Sequence, residues 1–138
     1  MVSIITISHG DMAAGILSSA AMICPEMKQI VSLFVIPETN PDDFQRTLQA
    51  KIEEVDTGDG VLILADLLGG TPCNRAIYCM NDKVHLLAGM NLSMLITAVA
   101  VREDNLPPKE LVRQVIEGTH NGVAYVNEML KQEEVSTL

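Results

Sequence analysis

Val61-Leu62-Ile63-Leu64-Ala65-Asp66-Leu67-Leu68-Gly69-Gly70-Thr71-Pro72 is the stretch on which the fold turns. Its first five residues are apolar without alternation, the pattern of a parallel strand covered on both faces. Asp66 ends the run and Gly69-Gly70 allows a tight loop. Thr71-Pro72 then reads as a helix start, a capping hydroxyl followed by proline in the first turn. Buried strand, glycine loop and helix in direct succession are half of a strand-helix-strand crossover.

The same alternation extends in both directions. Upstream, Val2 to Ile7 is a strand-like run ended by His9-Gly10. Ala13, Ile16, Leu17, Ala20, Ala21 and Cys24 then recur at helical spacing. Ile30 to Ile36 is a second strand. Asn40-Pro41-Asp42-Asp43 opens a helix with a cap, a proline and acids at the positive end of the dipole. Phe44, Leu48, Ile52 and Val55 form its buried stripe, and Thr57-Gly58-Asp59-Gly60 turns the chain into the Val61 strand. Downstream, Lys83 to Leu87 is a fourth strand, Asn91 opens a helix through about Val101, Leu106-Pro107-Pro108 breaks it, and Lys109 to Thr119 is helical. In the tail from Asn121, residues Val123, Tyr125, Val126 and Leu130 fit neither period, so a helix and an antiparallel edge strand both stay open.

The fold class expected is α/β, doubly wound, with a mainly parallel sheet and helices on both faces. A flavodoxin-like strand order 2-1-3-4 is the working assumption. Residues 1–132 are expected to form one domain and 133–138 a flexible tail.

Composition narrows the function. With 48% hydrophobic residues but two Phe, two Tyr and no Trp, the core is aliphatic and lacks base-stacking platforms. A net charge of −9 repels phosphate backbones and anionic lipid heads, so no nucleic acid is expected as a partner. The three cysteines Cys24, Cys73 and Cys79 form no CxxC motif, which argues against a disulfide framework and for a reducing cytoplasm. No stretch has the apolar length of a membrane span, so direct membrane insertion is not expected. The chain lacks GxxxxGK[ST] and GxSxG motifs and histidine spacings of a metal site; neither metal nor other cofactor is called for.

In sheets of this kind, ligands bind beyond the carboxyl ends of the strands where the strand order reverses. With the assumed order that point lies between the first and third strands, which end at His9 and Asp66. Gly10 and a helix start follow His9; Gly69, Gly70 and Thr71 lead into a second helix start. Glycines let backbone amides approach an anion, and helix N-termini carry partial positive charge. A carboxylate accepting from one imidazole nitrogen leaves the other as nucleophile. The set suits phosphoryl transfer, which asks mainly for positioning and electrostatic stabilisation. His85, His120 and Cys73 are read as structural or surface residues.

These residues carry a resemblance. The chain is similar to the IIA component of the mannose-type bacterial sugar phosphotransferase system over about residues 2 to 130. His9-Gly10-Asp11-Met12-Ala13-Ala14-Gly15 resembles the family's phosphorylation segment. Asp66-Leu67-Leu68-Gly69-Gly70-Thr71-Pro72-Cys73-Asn74 resembles its DxxGG[ST]PxN loop, and Gly89-Met90-Asn91-Leu92-Ser93-Met94 its G-x-N-L-x-M segment. The resemblance implies that His9 is phosphorylated, that Asp66 orients its ring, and that Gly70 and Thr71 bind the phosphoryl group. It implies the carrier HPr as donor, a IIB component as acceptor, the membrane IIC and IID subunits as indirect partners, and a homodimer. Leu67 stands where some relatives carry a hydroxyl, and Cys73 where a larger apolar residue is common. A free-standing IIA protein is expected, since no linker or IIB segment follows. The rival readings are the phosphotransfer subunit of a dihydroxyacetone kinase and a non-catalytic module whose docking is switched by phosphate on His9.

Overall fold

The computed structural model describes residues 1–131. Its sheet holds β1 (Ser3–His9), β2 (Ile30–Val35), β3 (Val61–Ala65) and β4 (Val84–Ala88), all parallel, in the order β2-β1-β3-β4. The expected order is therefore the observed one. The register sets His9 opposite Val35 and Ile7 opposite Ala65. Beyond the strands, Gly10 N–H donates to Val35 O (2.8 Å) and Asp66 N–H to Ile7 O (3.1 Å), so β1 and β3 emerge side by side.

Helices cover both faces. Ile5, Ile7, Ile63 and Ala65 point into a core completed by Phe44, Leu48 and Ile52 of α2 (Pro41–Val55) and Cys73 and Ala76 of α3 (Gly70–Ala76). On the other face, Ile4, Leu62 and Leu64 pack with Ile16 and Ala20 of α1 (Met12–Ala21) and Leu95 and Ala98 of α4 (Leu92–Val101). Leu111 and Val115 of α5 (Pro108–Asn121) close that layer. Two-sided burial is the reason β3 shows no polar alternation: all five of its residues are buried.

The caps follow their chemistry. Asn40 Oδ1 accepts from Asp42 and Asp43 N–H (2.8 and 3.1 Å), and Asn91 Oδ1 from Met94 N–H (2.8 Å). At α3 the expectation needs correcting. Gly69, not Thr71, is the N-cap, and Thr71 lies in the first turn. Gly69 and Gly70 take φ of 91° and 75°, a left-handed geometry that turns the chain before Thr71 is reached.

Arg102 is a feature the sequence did not single out. It is buried at the end of the sheet opposite His9, where Nη1 donates to Val2 O (3.1 Å) and Gln29 O (3.4 Å) and Nη2 to Lys28 O. It ties the chain beyond α4 to the entrances of β1 and β2. At the C-terminus, Val126–Lys131 is a short helix, α6, so the antiparallel edge strand left open by the sequence does not form among the described residues. The tail expected at 133–138 lies outside them.

Candidate active site

β1 runs to the carboxyl edge of the sheet because Ile4, Ile5 and Ile7 are fully buried and flanked by strands on both sides. Its last residue, His9, leaves the core with its side chain 48% exposed, whereas that of Asp66 is 7% exposed. β2 and β3 lie on opposite sides of β1, so the strand order reverses beside these two residues.

Asp66 grips His9 twice. Its Oδ2 accepts from the His9 backbone N–H at 2.8 Å and lies 2.8 Å from ring Nδ1. A carboxylate can only accept, so Nδ1 carries the proton, and in the neutral ring Nε2 then holds the lone pair. The other oxygen, Oδ1, accepts from Leu67 N–H at 3.0 Å. Burial works to raise the Asp66 pKa, but the hydrogen bonds from His9 and Leu67 outweigh it and hold the carboxyl below its ordinary value.

The loop after Asp66 covers the far edge of the ring. A Cβ on Gly70 would stand 2.6 Å from His9 Cε1 and 2.9 Å from Nε2, so only glycine admits this approach. Gly10, with φ of 58°, makes the turn from His9 into α1. The structure thus brings together His9, Asp66, Gly10 and Gly70, with Gly69 and Thr71 flanking Gly70 at the start of α3.

The amides of α1 are not all aimed at the imidazole. Ala13 N–H turns inward and donates to Ser8 Oγ at 2.7 Å, and the Ser8 hydroxyl donates to Gly10 O at 3.0 Å. Ser8 was not foreseen as part of the site. Its signal was a small polar residue on a fully buried strand, directly before the histidine. His85 and His120 are elsewhere: His85 lies within β4 with Nε2 3.1 Å from Asp82 O, and His120 lies in the exposed last turn of α5. Cys73 is buried in the core against α2.

Exposed apolar side chains cluster at this end of the sheet, beside exposed Asp11 and Glu38. Met12, Phe34, Ile36, Leu67 and Leu68 are all exposed and lie at the carboxyl ends of β1, β2 and β3. The half-exposed His9 ring therefore opens onto a sheet edge that carries exposed apolar side chains.

Residues 3–116 match the family described as PTS system fructose IIA component, EIIA-man. The chain is 32% identical over 124 residues to the PTS system mannose-specific EIIAB component of Escherichia coli (strain K12), covering 88% of this chain and 38% of that protein. It thus spans about two fifths of the length of those relatives. It is 26% identical to the PTS system fructose-specific EIIA component of Bacillus subtilis (strain 168), over 83% of this chain and 80% of the relative. Among solved structures, it superposes on phosphotransferase system component EIIA from Streptococcus agalactiae with a TM-score of 0.82 and 32% identity, covering 93% and 99% of the two chains. The mannose/sorbose-specific IIA subunit from Enterococcus faecalis gives a TM-score of 0.78 at 32% identity, over 89% and 92%. With its fold, the His9-Asp66 pair and these matches taken together, the chain belongs to the mannose-type IIA family of phosphotransferase-system components.

Proposed function

We propose that the protein is a cytoplasmic phosphocarrier for sugar uptake, accepting a phosphoryl group on His9 from phospho-HPr and passing it to a IIB component, with IIC and IID acting downstream in the membrane. The observation that carries this reading is the 2.8 Å contact between His9 Nδ1 and Asp66 Oδ2, which leaves Nε2 nucleophilic beside the Gly70 backbone.

The step balances without a cofactor. The Nε2 lone pair attacks the phosphorus of the donor's phosphohistidine. The donor N–P bond breaks and its electron pair returns to the donor imidazole. The new Nε2–P bond leaves a positively charged ring whose Nδ1–H faces Asp66, and no proton has to leave. A carboxyl held below its ordinary pKa stays ionised and balances that charge. Gly10, Gly69 and Gly70 allow backbone to approach the phosphoryl oxygens, and Thr71 would add its hydroxyl. Return of the phosphoryl to an acceptor reverses the same motions.

The apolar collar supports a protein partner rather than a free sugar, since a small polar substrate gains little from exposed Phe34, Leu67 and Leu68. Exposed Val123, Tyr125, Val126, Met129 and Leu130 support a homodimer in which this end of the chain meets a second copy. Among the described residues no helix is long and apolar enough to cross a membrane.

The test is incubation of the full chain with HPr, the first enzyme of the system and phosphoenolpyruvate, followed by intact mass. One acid-labile phosphoryl, absent in His9→Ala, is the expected result. A folded wild-type chain that gains no mass would overturn the reading.

A further inference from the structure

We propose that Ser8 is a positioning residue for phosphoryl transfer, its hydroxyl bracing the turn that presents the His9 ring. The inference rests on the phosphocarrier reading.

Ser8 is fully buried, in a strand whose neighbours Ile4, Ile5 and Ile7 are aliphatic. A hydroxyl is costly there unless both its donor and its acceptor are used. Both are. The oxygen accepts from Ala13 N–H at 2.7 Å, and the hydroxyl hydrogen goes to Gly10 O at 3.0 Å. One side chain therefore closes a ring over residues 8 to 13, with His9 on its outer rim. Ala13 N–H belongs to the first turn of α1, where amides have no partner within the helix. Without Ser8 that buried donor and the Gly10 carbonyl lose their partner.

The His9 ring has little freedom to absorb a shift of this turn. Asp66 holds Nδ1 on one side, and the Gly70 backbone closes on Cε1 and Nε2 on the other. A small rotation of the turn breaks the first contact or jams the second. Misplacement of a reacting atom by about 1 Å costs on the order of 100-fold in rate.

Thr6 provides the internal control. It lies two residues earlier on the same strand, is equally buried, and its hydroxyl donates to Ala13 O at 3.0 Å. It grips the helix but not the Gly10 turn. Ser8→Ala and Thr6→Val therefore both weaken the hold of β1 on α1, and only the first loosens His9.

The experiment uses the full chain, labelled with nitrogen-15, as wild type, S8A, S8C and T6V. It records uptake from phospho-HPr as kcat and KM, the His9 ring nitrogen signals, and the urea midpoint. In S8A, kcat should fall about 10- to 100-fold with KM little changed. The signal of the Nδ1-protonated ring should weaken. T6V should lower the urea midpoint with kcat and ring signals kept. A folded S8A with wild-type kcat and ring signals overturns the proposal, as does a T6V that loses kcat to the same degree. If S8A does not fold, S8C, which fills the space but bonds weakly, carries the same two outcomes. A wild-type chain that takes no phosphoryl defeats the carrier reading instead. The ring signals of S8A then still decide whether Ser8 positions His9.

Discussion

The backbone of Gly70 lies against the His9 imidazole so closely that a Cβ would stand 2.6 Å from Cε1. The ring is therefore held between a carboxylate at Nδ1 and a peptide at its opposite edge.

Gly70→Ala tests that contact. The methyl forces the ring away from Asp66, and φ of 75° adds about 1–2 kcal/mol of backbone strain. Phosphoryl uptake should drop by about 100-fold while circular dichroism stays that of the wild type. An alanine variant with full activity would show that the ring does not need this packing.

Asp66→Ala should slow uptake on the order of 100-fold or more with the fold intact, because the ring loses both its tautomer and its orientation. Asp66→Asn keeps the shape but removes the charge and turns one of the two accepting oxygens into a donor. An Asn variant as slow as Ala shows that shape alone does not suffice; one near the wild-type rate shows that the carboxylate charge is not needed. Single-turnover rates with phospho-HPr give the answer.

The same carboxylate predicts an acid-labile share of stability. Its folded pKa is depressed, so its contribution is fully present above the ordinary unfolded carboxylate value and is lost as pH falls through the lower folded value. Urea unfolding of wild type and Asp66→Ala should therefore differ most near neutral pH and converge on strong acidification. Curves that stay parallel would contradict the depressed pKa.

Arg102→Ala removes the donor shared by the Val2, Lys28 and Gln29 carbonyls and opens a void at the sheet end opposite the site. A loss of about 2–4 kcal/mol is expected. Distance from His9 predicts unchanged uptake for the fraction that remains folded. Chemical denaturation beside a rate measurement checks both statements.

Leu68→Asp places a charge on the collar without touching the core, since Leu68 is 81% exposed. Stability should stay within about 0.5 kcal/mol. KM for phospho-HPr should rise about tenfold, equivalent to roughly 1.4 kcal/mol of docking energy. An unchanged KM would place the docking face elsewhere.

The sequence by itself determined the strands and helices up to α5 and their layering, while the segment after Asn121 stayed open between helix and strand. The unbroken apolar run of β3 requires cover on both faces, and Asn40 and Asn91 mark helix starts by side-chain chemistry that acts within a few residues. It also marked His9 and Asp66 as a candidate pair, because His9 ends one buried strand and Asp66 follows directly on another. Only the tertiary structure decided what those residues touch. That Asp66 binds both the backbone and the ring of His9 depends on β1 and β3 being neighbours, 57 positions apart in the chain. The move of the α3 cap from Thr71 to Gly69 depends on how the glycine loop must bend to reach the ring. Ser8 and Arg102 escaped notice for the same reason. Propensity and periodicity are local quantities, whereas a buried polar group is defined by partners the fold brings from elsewhere.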